Sequence, residues 1–136
     1  MNIAPSRPVH RDITTDNDVG ALVRSFYRYA IPDPLLGPVF ERFGVYWPRH
    51  LPKLVAYWEH VLLDRPGLAT NTIGVHGGVQ RVAPFGPEHV ARWVELWEET
   101  VDDLYVGPVA ELAKTRARQV GRALEAVARR RHQGAN

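Results

Sequence analysis

Cysteine is absent from all 136 residues of the chain. That excludes disulfides, thiolate metal sites, a cysteine nucleophile and the C-x-x-C-H motif of thioether-attached cofactors. Met1 is the only methionine, so a thioether ligand inside the fold is not expected. No stretch approaches 18 apolar residues, and residues 1–11 carry no apolar run. Neither a membrane span nor a signal peptide is expected, which makes a cytoplasmic protein the default. The formal net charge of +2 is too small to imply nucleic acid. The sequence pI near 9.2 comes mainly from the arginine-rich stretch 116–131, read as the solvated face of a last helix. Strand alternation, internal repeats and a phosphate-cradling glycine loop are all missing. Glu59-His60 lacks the second histidine of a zinc-protease motif, and neither Ser6 nor Ser25 sits in a G-x-S-x-G setting. The carboxylate pairs Glu98-Glu99 and Asp102-Asp103 read as solvated helix surface. A hydrolase or a zinc enzyme has little to rest on.

What the chain does have is helical periodicity around one core. At 45% hydrophobic it can fill one domain, expected over 13–131, between a loose arm at 1–12 with Pro5 and Pro8 and a tail at 132–136. Thr15 with Asp18 three residues later reads as a capping box. Val19, Leu22, Val23, Phe26, Tyr27 and Ala30 then recur on one helical face. Pro32-Asp33-Pro34 ends this helix, and a short one carries Leu35, Leu36, Val39, Phe40 and Phe43 before Gly44. A third helix is expected from about Arg49, with Pro48 and Pro52 near its first turn and Leu51, Leu54, Val55, Trp58, Val61 and Leu62 inward. Asp64-Arg65-Pro66-Gly67 breaks it, and a short segment ends at Val75-His76-Gly77-Gly78. Pro87-Glu88 opens a long helix with Trp93 and Trp97 on its inner face. Gly107-Pro108 breaks that one, and a last helix over about 109–130 turns Leu112, Ala113, Ala117, Val120, Leu124 and Val127 inward. The domain is all-α.

Two residues stand out chemically. His50 lies on the edge of the third helix's apolar face, and His76 closes the segment 26 residues later. They could face a flat metal cofactor from both sides, although a lone histidine at a helix edge is equally an ordinary hydrogen-bonded residue. Tyr27 falls within the buried stripe. It is either a core tyrosine bonded to a carbonyl or a phenol with some other partner.

Three blocks carry a family resemblance: F-Y-R-Y-A-I-P-D-P-L-L-G-P-V-F-E at 26–41, W-P-R-H-L-P-K-L-V-A-Y-W-E-H-V-L-L at 47–63, and H-V-A-R-W-V-E-L-W-E-E-T-V at 89–101. With His76 between the last two, the chain resembles the truncated haemoglobins of the third group over nearly its whole length. The resemblance implies a truncated-globin fold, a two-over-two helical sandwich around haem b (iron protoporphyrin IX). By it, His76 is the proximal iron ligand, and Tyr27, His50 and Trp93 line the distal pocket. Leu54 and Trp58 fall where the distal helix packs on the haem, Phe40 and Phe43 at its edge, and Lys53 and Arg81 are cations suited to its propionates. Gly67-Leu68-Ala69-Thr70 departs from the aromatic-glycine turn common in the family, and 77–87 is longer than usual. His89 is the nearby rival for the iron. The function implied is reversible binding of dioxygen or another diatomic. The alternatives are a peroxidase-like or nitric-oxide-consuming enzyme fed by a reductase, or a haem-free helical interaction module. No nucleic-acid or membrane partner is implied.

Overall fold

Thr15 starts the first helix. Its hydroxyl accepts the Asp18 N–H at 3.1 Å, and the Asp18 carboxylate accepts the Thr15 N–H at 3.0 Å, so the expected capping box is present. In the computed structural model, which describes residues 10–66 and 86–134, this helix, α1, spans Asp16–Ala30. The Asp33 carboxylate then accepts the Leu35 and Leu36 N–H groups, each at 3.0 Å, and so shapes the turn into α2, Gly37–Phe43. Gly44 ends α2 at φ 68°, a left-handed conformation that costs glycine little.

The third helix, α3, spans Trp47–Leu63 and starts two residues before the expected Arg49. Pro48 therefore lies in the first turn, but Pro52 falls inside the helix, where its missing N–H leaves one intrahelical bond unmade. After residue 86 come α4, Pro87–Leu104, and α5, Pro108–Gly134. The last helix thus runs on into the stretch expected as a tail.

The helices form two layers. One layer pairs α1 with α3 and the other pairs α4 with α5, while α1 on α4 and α3 on α5 join them. This is the expected two-over-two sandwich. Its centre is Trp97, fully buried, whose indole N–H donates to the Ala113 carbonyl at 3.1 Å. Ala113 and Ala117 keep the inner face of α5 small there, so the bulky indole fits between the helices. Leu112, expected inward, is instead 43% exposed, because Ala113, Ala117 and Leu124 occupy the stripe one position further round.

Residues 10–12, assigned from proline content to the loose arm, are tied to the domain. The Arg11 guanidinium holds Asp18 through two bonds of 2.6 and 2.8 Å. The Asp12 carboxylate caps α5 by accepting the Val109 and Ala110 N–H groups at 2.9 and 2.8 Å. Tyr105 reinforces the strap by donating its hydroxyl to the Asp18 carbonyl at 2.9 Å.

Three carboxyls in these caps sit below the ordinary carboxylate range. The Arg11 guanidinium and the backbone donors of Thr14 and Thr15 lower Asp18 against the opposing effect of burial. At Asp12 and Asp33 burial pushes upward but is outweighed, by the N–H groups of Val109 and Ala110 in one case and by Leu36 and Arg92 in the other. As pH falls, the unfolded chain takes up these protons before the folded one does. Stability is therefore full above the unfolded pKa and lost as pH drops below about 4. Urea unfolding at stepped pH should show that acid limb, and Asp18→Asn should make it shallower. An equally steep limb in the variant would mean that Asp18 is not linked to folding.

Candidate functional site

Tyr27 is held by aromatic rings. It packs edge-on against Phe26 with centroids 4.7 Å apart, against Trp47 at 5.1 Å and against Phe40 at 6.1 Å. Phe40 and Trp47 close the cluster at 5.2 Å, and Phe26 touches Trp93 at 6.2 Å. Helices α1, α2, α3 and α4 thus each contribute a ring. Tyr27 is only 8% exposed. Burial pushes its phenol pKa well above the ordinary tyrosine value, and the neighbouring Trp93 indole partly offsets the shift. The hydroxyl therefore keeps its proton at neutral pH.

An indole N–H can only donate, so Trp93 offers a donor beside the Tyr27 oxygen. Trp93 is itself aligned through the stack of its ring on Trp97, at 6.4 Å and 18°. Next to it, Arg92 donates to the buried Asp33 at 2.9 Å, which fixes α4 against the turn between α1 and α2.

The structure brings Tyr27, Trp93 and Phe40 together, and Trp47 extends the cluster to His50. That imidazole lies half-buried in the first turn of α3, with its ring 5.8 Å from Trp47. Leu54 lies half-buried further along α3. Trp58 is buried and stacks on Trp97 at 4.4 Å and 23°, so one face of it is committed to the core. Phe43, expected beside Phe40, is half-buried at the end of α2 and has no ring contact among the described residues. Lys53 is exposed. His76 and Arg81 lie outside the described residues.

The rival histidine is occupied. His89 Nδ1 accepts the Gly86 N–H at 2.8 Å and so helps cap the start of α4. With Nδ1 accepting, a neutral imidazole carries its proton on Nε2, leaving no free lone pair for a metal.

Trp47 and Phe26 are the members the residue pattern did not single out. Trp47 had a legible signal, since it precedes His50 by three residues and three-apart residues share a helix face. Phe26 had none beyond its place in a core stripe. On the outer side of α4 and α5, an open groove of about 560 Å³ is lined by Val94, Glu98, Arg118 and Gly121 among others. It shares no residue with the Tyr27 cluster.

No family model matches the chain, and no curated protein matches it. Among solved structures the chain is similar to the group III truncated hemoglobin from Campylobacter jejuni. Identity is 21%, 88% of this chain and 95% of that chain are covered, and the TM-score is 0.76. Helix order, layer pairing and this superposition agree: the chain has the two-over-two fold of a truncated globin.

Proposed function

We propose that the chain is a haem-binding globin of the third truncated group, taking up dioxygen or a similar diatomic beside Tyr27. The observation that carries this reading is the buried Tyr27 phenol, ringed by Phe26, Phe40 and Trp47. Among the described residues no carbonyl accepts a bond from its hydroxyl.

The residues present fit a haem. Trp47, Leu51, Leu54, Val55, Tyr57 and Val61 remain only partly buried although they lie along the inner side of α3, which makes an apolar wall for a flat macrocycle. The wall ends at the donors Tyr27 and Trp93 and at His50. A metal carried in a macrocycle would be held by one imidazole, for which His76 is the residue we assign. Bound haem would supply an iron able to take up the diatomic.

The protein's own contribution is polarity at that position. A ligand that takes on negative charge is favoured by a donor in an apolar surrounding, where a hydrogen bond is stronger than in water. Tyr27 supplies that donor, with the Trp93 indole beside it. His50 borders the same space from a helix terminus. Lys53, exposed on α3, and Arg81 are suited to the propionates.

The purified chain mixed with haem should show a shifted, sharpened absorption band that changes on reduction and again under carbon monoxide. Since no cysteine can form a thioether, acid acetone should extract all the haem and leave a chain of unaltered mass. A chain that takes up no haem, or one that keeps it after extraction, would overturn the proposal.

A further inference from the structure

We infer that Asp33 and Arg92 are positioning residues of the pocket, one buried ion pair that sets where Phe40 and Trp93 stand around Tyr27. Through that placement the pair controls how the pocket discriminates between dioxygen and carbon monoxide. The role rests on the haem-binding reading above and adds to it two residues outside the aromatic cluster. Each oxygen of the Asp33 carboxylate serves a different element. Oδ2 accepts the Leu35 and Leu36 N–H groups, each at 3.0 Å, in the turn that leads into α2. Oδ1 accepts the Arg92 Nε–H at 2.9 Å from α4. The Asp33 side chain is only 4% exposed, so these three donors replace the water it has lost.

Both helices take their placement from that carboxylate. α2 is seven residues long and buries only Gly37, so its own packing holds it weakly. Its entry is set instead by Asp33, whose carbonyl also accepts the Gly37 N–H at 2.8 Å. Gly37 comes so close to the end of α1 that an added Cβ would lie 2.6 Å from the Ile31 carbonyl oxygen. Phe40, three residues further on, is thereby held against Tyr27 and Trp47 at 6.1 and 5.2 Å. On α4, Arg92 directly precedes Trp93. Successive helical residues stand about 100° apart, so anchoring Arg92 fixes the rotation of α4 and with it the direction of the Trp93 ring.

Stability alone gives little reason for such a pair. Well-packed apolar side chains of similar size often serve a buried site as well or better. What the pair contributes is a single register, since the carboxylate is satisfied only when the turn and α4 stand in this relation. The other arm of Arg92 differs in kind. Nη1 donates to Glu95 at 2.5 Å, but Glu95 is exposed and a bond there contributes little.

The test reads the full chain both free of haem and loaded with it. With 5-fluorotryptophan at its four tryptophans, the haem-free chain gives one fluorine resonance for each ring. Arg92→Gln should shift the Trp93 resonance and leave that of Trp47 in place. Asp33→Asn should shift both, because it releases α2 and Phe40 as well. Glu95→Gln should shift neither. In the haem-loaded chain, Arg92→Gln should speed dioxygen dissociation several-fold while carbon monoxide dissociation changes much less. The same substitution should add almost nothing in a Trp93→Phe background. Arg92→Lys should fall between, since an ammonium reaches Asp33 without the fixed fork of a guanidinium. Asp12→Asn, which loosens a helix cap outside the pocket, is the control for general destabilisation and should leave the ratio of the two rates unchanged. An unmoved Trp93 resonance in Arg92→Gln, a rate effect of full size in the Trp93→Phe background, or an equal effect from Asp12→Asn would overturn the positioning role. Should Asp33→Asn fail to fold, Arg92→Gln decides alone, because it keeps the Leu35 and Leu36 bonds to Asp33. A chain that takes up no haem would overturn the haem-binding reading instead, and the fluorine resonances would still decide whether the ion pair places Trp93.

Discussion

His76→Ala should abolish stable haem retention, the largest single effect expected for any substitution in this chain. On the haem-binding reading His76 is the one protein ligand, so its removal would leave only the apolar wall of α3 and the side chains suited to the propionates to hold the group. Metal–imidazole bonding is specific to a neutral ring nitrogen, and free imidazole diffusing into the vacated space should therefore restore a spectrum like the wild type's. The expected outcome is rapid transfer of haem from His76→Ala to an acceptor globin, slowed by added imidazole. His89→Ala should leave haem in place and show only the modest destabilisation of a lost helix cap, about 1 kcal/mol. Its Nδ1 is already taken by the Gly86 N–H at 2.8 Å. The reverse pattern, with retention in the first variant and loss in the second, would transfer the iron to His89.

The helices were legible because their signals are local. Thr15 and Asp18 announce a start, Gly44 and Pro108 announce boundaries, and the apolar stripe of α1 is buried as its spacing requires. What local pattern could not reach was the consequence of long-range contacts. Residues 10–12 read as arm because prolines precede them, yet Arg11 and Asp12 find Asp18 and the start of α5, partners 7 and 97 residues away. Leu112 read as core by hydrophobicity, but the close approach at Trp97 favours alanines on that stripe. Within the site, Tyr27, His50 and Trp93 came from the residues together with the family resemblance. Their arrangement did not. That Trp93 packs on Phe26 beside Tyr27, and that Trp47 sits between Tyr27 and His50, depends on how α1, α3 and α4 cross. Periodicity says which residues face inward but not which inward residues meet.

Tyr27→Phe should speed dioxygen dissociation several-fold or more while changing carbon monoxide dissociation much less. The substitution keeps the ring, and with it the contacts to Phe26, Phe40 and Trp47, and removes only the hydroxyl. A hydrogen bond to a charged acceptor contributes about 1–3 kcal/mol, which corresponds to roughly a 5- to 150-fold change in affinity. Carbon monoxide gains little negative charge and accepts hydrogen bonds poorly, so the effect should discriminate between the gases. Trp93→Phe tests the order of the two donors. If both side chains bonded the ligand directly, each single change would remove one bond. If instead Trp93 donates to the Tyr27 oxygen, the indole acts through the phenol by orienting its proton. Trp93→Phe should then weaken dioxygen binding in the wild-type background, by less than Tyr27→Phe, and have almost no effect once the hydroxyl is gone. The double variant should match Tyr27→Phe alone, and the difference from additivity measures the coupling. Such a bond also favours the ionised phenol. Spectrophotometric titration of Trp93→Phe should therefore find Tyr27 still harder to ionise, a readout that loss of packing alone does not predict. Stopped-flow gas displacement on the two single variants and the double variant supplies the rates. If Trp93→Phe costs as much in the Tyr27→Phe background as in wild type, the two residues act independently and the indole reaches the ligand itself.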